Sequence, residues 1–115
     1  MKEPIIISNL EVWPLDIGGV TWQDAVQTVA GLGSGWRLPT AGEFKETLQP
    51  DVWDVLSPDL NIGYWSSTEI DGQNARNWVF KYGHTMYFPK RLLSKVIAVR
   101  DFDGDEALEY LLREF

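Results

Sequence analysis

The sequence predicts a single α+β domain, with two main helices packed on short, mostly antiparallel strands and an extra helix at the C-terminal end. Three observations lead there. In two stretches apolar residues recur at spacings of three and four, and each stretch is opened by a threonine that can cap a helix. Elsewhere β-branched and aromatic residues gather in short runs separated by Gly, Pro and Asp. The chain of 115 residues is 44% hydrophobic and 23% charged, the composition of one globular domain large enough to bury a core without staples.

Taken in order, Ile5, Ile6, Ile7, Leu10, Val12 and Trp13 predict one or two short strands that end at Pro14, which cannot donate to a ladder. Gly18-Gly19 predicts a break. From Thr21 the pattern turns helical, with Trp22, Ala25, Val26, Val29 and Leu32 on one stripe. The Thr21 hydroxyl can accept from a first-turn amide, Asp24 complements the positive end of the helix, and Gly31, Gly33 and Gly35 end it. Trp36-Arg37-Leu38-Pro39-Thr40 reads as a junction between extended chain and a second helix: Pro39 biases Leu38 away from helical dihedrals, and Thr40 with Glu43 forms a Thr-x-x-Glu capping box. Phe44 and Leu48 supply that helix's buried face. Beyond Pro50, Val52, Trp53, Val55 and Leu56 predict another short turn that buries Trp53.

Tyr64 to Thr68 has the content of a strand and is followed by a polar loop from Glu69 to Asn74. Arg76 to Tyr82 predicts the next strand. Gly83-His84 then reads as a two-residue hairpin turn, setting Tyr82 opposite Thr85 and Phe80 opposite Tyr87. Aromatics on both faces predict a sheet covered on each side. Pro89 closes the hairpin, Lys90 to Ser94 connect, and Lys95 to Arg100 predict one continuous strand. Residues 1–103 thus form the domain, and 104–115 an appended amphipathic helix with Leu108, Leu111, Leu112 and Phe115 at i, i+3, i+4 and i+7.

Ten Lys and Arg against seventeen Asp and Glu leave a net charge of −7, the wrong sign for nucleic acid or an anionic membrane. Having no Cys, the chain lacks disulfides, zinc-thiolate sites, iron–sulfur clusters and thiol nucleophiles, and a single His leaves too few ligands for a transition metal. No cofactor and no metal is expected. No apolar stretch approaches the roughly 20 residues of a bilayer span, and the start, Met1 to Ser8, lacks the core of an export signal, so the expected location is the cytoplasm.

Thr21-Trp22-Gln23-Asp24-Ala25, Trp36-Arg37-Leu38-Pro39-Thr40 with Glu43, Tyr64-Trp65-Ser66-Ser67-Thr68 and Val96 to Arg100 occur in an order and spacing that resembles the Legionella collagen-like (Lcl) C-terminal domain family. The match spans about residues 21–100. This bacterial family is of largely unknown function, and the resemblance implies a C-type-lectin-like fold, related to that of the formylglycine-generating, sulfatase-modifying enzymes. It also implies departures. Val29 and Ala98 stand where family members often carry cysteines, a paired absence that suits a reducing compartment. Formylglycine-generating chemistry needs cysteine and is closed to this chain. The Glu-Pro-Asn and Trp-Asn-Asp calcium motifs of lectins are not found, and the terminal helix lies beyond the family's usual end.

No catalytic set emerges. Ser66, Ser67 and Thr68 with His84 and Asp71 or Asp101 hold the residue types of a hydrolytic triad, but the serines lack a Gly-rich elbow and His84 is explained by the turn. Asp101, Asp103 and Asp105 alternate as a calcium loop begins, yet Glu106 and Leu112 stand where that loop needs Gly and Glu, and the carboxylates serve the helix dipole instead. Trp36 and Arg37 are read as a core indole and an arginine tied to a carboxylate or carbonyl. Trp22, Trp53 and Trp78 are read as core as well. The chain is therefore expected to be a non-enzymatic binding module, with another protein as partner. The contact surface falls on the loops after Trp65 and around Pro89 to Ser94: Glu69, Asp71, Asn74 and Arg76, with Lys90 and Arg91 as a local basic patch. The Leu108, Leu111, Leu112 and Phe115 stripe offers a second surface, through which a homo-oligomer could form. The alternative is calcium-independent carbohydrate or small-molecule binding, with Trp65 and exposed aromatic faces as stacking platforms.

Overall fold

A computed structural model describes residues 5–7, 9–13, 17–48 and 63–101. Within them the elements are β1 (Ile5–Ile7), β2 (Leu10–Val12), β3 (Ile17–Val20), α1 (Trp22–Ala30), α2 (Ala41–Glu46), β4 (Tyr64–Glu69), β5 (Asn74–Val79), β6 (His84–Pro89), β7 (Ser94–Val96) and β8 (Val99–Asp101). A three-stranded antiparallel sheet has the order β1-β2-β8. A five-stranded sheet has the order β3-β7-β4-β5-β6, and only its β4–β7 neighbours run parallel.

This architecture overturns the expected C-type-lectin-like α+β unit of two main helices packed on short, mostly antiparallel strands with an extra C-terminal helix. Among the described residues strand positions outnumber helical ones by more than two to one, one of the two sheets is curled, and the two helices are nine and six residues long. The helical stripes were located correctly, but elements this short cannot form a layer of their own, and most apolar residues of 5–20 and 64–101 go into strands. The expected terminal helix, with Leu108, Leu111, Leu112 and Phe115, lies outside the described residues, as does Trp53. Gly18-Gly19 does not break the chain: both residues lie in β3, which pairs with β7 through an irregular register. The expected strand from Lys95 to Arg100 divides at Ile97 and Ala98, so that β7 completes the larger sheet and β8 the smaller.

Local signals decide the helix ends. Thr21 Oγ1 accepts from the Asp24 amide at 3.3 Å, and Gly31 caps the other end of α1. At α2 the capping box is complete: Thr40 Oγ1 accepts from the Glu43 amide at 3.0 Å, while Glu43 Oε1 accepts from the Thr40 amide at 2.8 Å.

Period-two alternation then sorts side chains between two cores on opposite faces of the larger sheet. Trp65, Ala75, Val96 and Ala98 pack with Trp22, Ala25 and Val29 of α1 and with Trp36 and Leu38. Tyr64, Trp78 and Ile97 pack with Phe44 of α2, with Leu48 and Phe80, and with Leu10, Val12 and Val99 of the smaller sheet. Phe44 lies nearly parallel to Trp78 at 6.0 Å.

Arg37 ties these parts together. Its backbone exchanges two hydrogen bonds with Val99, at 2.8 and 2.9 Å. Its guanidinium donates to both carboxylate oxygens of Glu43, at 2.7 and 2.8 Å, and to Asp101 at 2.8 Å. The Arg37 hydrogen bonds outweigh desolvation and, with the Thr40 amide, hold the Glu43 carboxyl below its ordinary pKa of 4.5.

Two stability predictions follow from this packing. Urea unfolding should place Phe44→Ala about 3–5 kcal/mol below the parent and Thr40→Ala only about 1 kcal/mol below it, because one opens a cavity and the other removes a cap. A depressed folded-state pKa at Glu43 means that its contribution is fully present above 4.5 and is lost as pH falls below that value, since the unfolded chain takes up the proton first. Glu43→Gln should therefore lower the melting temperature at pH 7, and the gap to the parent should close in titrations carried below pH 4.5; a gap independent of pH contradicts the assignment.

Candidate functional site

The loop between β4 and β5 and the connection from β6 to β7 meet at one end of the larger sheet, which brings together most of the loop residues expected to bind. Asp71 Oδ1 accepts from the amides of Gln73 and Asn74 at 2.8 and 2.9 Å, closing an Asx turn at Asp71-Gly72. The Gln73 amide, then the Asn74 side chain, hold its carboxyl below the ordinary range. Across the gap the Lys90 amide donates to the Gln73 carbonyl at 2.8 Å. A shallow depression of about 350 Å³ lies between the loops, lined by Gly72, Gln73, Asn74, Pro89, Lys90 and Arg91.

Most of these side chains build the loops. Lys90 is a hub: its carbonyl accepts from the first amide of α1, at Trp22, and its ammonium lies 4.3 Å from the Trp22 ring centre and 2.7 Å from Glu69 Oε2. Asn74 donates its side-chain amide to Asp71. Arg76 sits apart from the loops, in β5, where it donates to Thr85 Oγ1 at 3.2 Å and covers the Tyr87 ring. Arg91 is exposed and, among the described residues, its side chain makes no hydrogen bond or ion pair. Trp65 is fully buried, with its Nε1 donating to the Val20 carbonyl at 2.8 Å and its ring edge-on to Phe88. It is a core residue and presents no face to a ligand.

The surface that the sequence reading passed over is β6 and the turn before it, which continue into the Pro89 to Ser94 connection expected to take part. Six large hydrophobic residues are exposed among those described, and five fall in one stretch: Tyr82 (61%), Met86 (43%), Tyr87 (67%), Leu92 (37%) and Leu93 (65%). The sixth, Ile6, is in β1. Two features of the hairpin put them there. The expected two-residue turn is instead a four-residue one, Phe80 to Gly83, with Gly83 at φ 68° and its amide bonded to the Val79 carbonyl. The register therefore pairs Trp78 with Thr85 and Arg76 with Tyr87, because Phe80 leaves the strand to fill the core beside Phe44 and Tyr64. Second, β6 is the last strand of its sheet. Coverage on both faces, expected for the whole hairpin, holds for β4 and β5 and fails at β6.

The remaining chemistry is spare. Ser66 is buried and donates its hydroxyl to the Arg76 carbonyl at 2.6 Å, whereas His84 is exposed and stacks on Tyr82 at 5.9 Å, so the triad types serve separate local contacts. Among the described residues no group of three His, Cys, Asp or Glu is placed to hold a metal, and no helix is long and apolar enough to cross a membrane. A second depression, of about 300 Å³, opens beside β6 between Ala41, Gly42 and Lys45 and the hairpin residues Trp78, Gly83, His84 and Thr85. Trp78 Nε1 is buried without an acceptor among the described residues.

Asp71→Ala separates loop building from contact. Amide exchange at Gln73 and Asn74 should quicken while the amides of β4 and of β5 from Ala75 onward keep their protection; unchanged exchange at those two amides contradicts the role given to Asp71.

No family model matches the sequence, and no curated protein matches it significantly, so the geometry above is what a functional reading rests on.

Proposed function

We propose that the chain is a non-enzymatic protein-binding module whose contact surface runs along β6, from the turn at Tyr82 to the connection at Leu93. The observation that carries this reading is the concentration of exposed apolar side chains in that stretch, on an edge strand of the larger sheet. Exposed apolar side chains gathered in one stretch of a monomer mark contact sites, and tyrosine supplies much contact area for little lost freedom. An edge strand adds a row of backbone donors and acceptors that a partner strand can pair. The loop end next to it, held by Asp71, Glu69 and Lys90, serves as a rigid rim, with Arg91 as its outward charge. The likeness to the Lcl C-terminal domains belongs to the same proposal and rests on the four motifs. Sugar or small-molecule binding is the weaker reading, because its expected platform, Trp65, is occupied by the core.

The test is a selection of binding peptides from a random display library on the full chain, followed by amide chemical-shift mapping. Bound peptides should shift residues 82–93, and Met86→Ser with Tyr87→Ser should weaken them about tenfold or more while leaving the melting temperature near that of the parent, since both side chains are exposed. Shifts confined to α1 or β1, or binding indifferent to these substitutions, would overturn the reading.

A further inference from the structure

We propose that the β6 surface takes an acidic, apolar segment of another protein, bound in extended form as an added strand; the proposal rests on the reading above and names the partner's chemistry. Edge strands are usually guarded by inward or flanking charges, by bulges or by proline. β6 carries no charged residue, keeps six unbroken pairs with β5, and has proline only at its final position. Its outer side is unpaired among the described residues.

Charge selects the occupant. Residues 72–100 contain no Asp or Glu but hold six of the ten Lys and Arg, namely Arg76, Lys81, Lys90, Arg91, Lys95 and Arg100, so every one of the seventeen acidic residues lies elsewhere. Lys90 and Arg100 are paired with Glu69 and Glu11. Arg76 and Lys81 lie instead over the exposed rings of Tyr87 and Tyr82, 5.5 and 5.8 Å from their centres, and Arg91 points its charge to solvent at the far end. Among the described residues no carboxylate pairs with these three. An approaching strand therefore meets a cation at each end of β6 and a third beside Tyr87, with apolar surface between, in a molecule whose net charge is −7. A second copy pairing β6 with β6 would bring like cations together. Nucleic acid would face a net charge of −7 and find leucine and methionine where it needs more uncommitted cations.

The peptides selected on the full chain provide the test. Those that shift the amides of 82–93 should carry net negative charge and bind about tenfold more weakly to the Lys81→Glu, Arg91→Glu double variant, with a loss of similar size on raising ionic strength from about 0.1 M to about 1 M. Exchanging Glu for Lys in a selected peptide should restore binding to that variant, and backbone N-methylation at alternate residues should abolish it. Neutral or basic peptides on the same amides overturn the acidic partner and leave the contact surface standing. Concentration-dependent dimerisation of the full chain through those amides, or tighter binding of a single-stranded oligothymidylate there, also overturns it. If no peptide of any charge shifts 82–93, the contact surface and its partner fall together.

Discussion

The run from Ser94 to Asp101 belongs to both sheets, and the rest of the molecule is arranged so that this can be. Its first three residues extend the larger sheet as β7 and its last three extend the smaller as β8, with Ile97 and Ala98 between. Val96 and Ala98 face the core under α1, and Ile97 and Val99 face the core under α2. A valine fully removed from water contributes about 1.5–3 kcal/mol, so two cores meeting on one short segment bind the sheets together more firmly than any surface contact. The segment's polar backbone must then be satisfied from both sides. Trp13 donates to the Ala98 carbonyl, and Arg37 exchanges hydrogen bonds with Val99. The Arg37 guanidinium carries the link onward to Glu43 in α2 and to Asp101, while Arg100 lies over Trp36 and pairs with Glu11.

From that seam outward the packing thins. β4 and β5 still have helices or indoles on both faces, whereas β6 meets the core chiefly through Phe88 and leaves Met86 and Tyr87 in solvent. Loops at the end of the sheet are held by short-range devices: an Asx turn at Asp71, and Lys90 bonded through backbone and side chain to three neighbours. Residues that looked like a recognition set are therefore mostly occupied with each other, and the surface able to meet a partner is the strand they frame.

What could be read in advance was local. The two threonine caps, the Glu43 partner in the capping box and the buried faces of both helices follow from spacing alone, since each is decided within a single helical turn. A carboxylate or carbonyl partner for Arg37 and the burial of Trp36 followed from their place at a strand-to-helix junction, and the burial of Trp78 from its apolar neighbours. Arg37 in fact donates to Glu43 and to the Leu38 carbonyl. What escaped depends on contacts distant in sequence. Lys95 to Arg100 is a good strand by composition, and only the second sheet explains why it divides. Gly83 marks the hairpin, but Phe80 abandons the ladder because Phe44 and Tyr64 offer it a core site, and that moves the pairing by four residues on β5. The weight given to two main helices was misjudged because periodicity reports that a helix exists and not how much of the core it covers. Which strand ends a sheet is likewise a property of topology. The one signal for β6 that was present, a 29-residue stretch free of acidic residues in an acidic chain, is averaged away by a single net charge.

Residue-resolved hydrogen exchange on the free protein tests most directly whether β6 is an open edge. In an open edge strand every second amide is bonded to β5 and the others face water, so protection along His84 to Phe88 should alternate, against continuous protection in β5. Uniform protection in β6, equal to that of β5, would mean that the edge is already covered and would contradict the account.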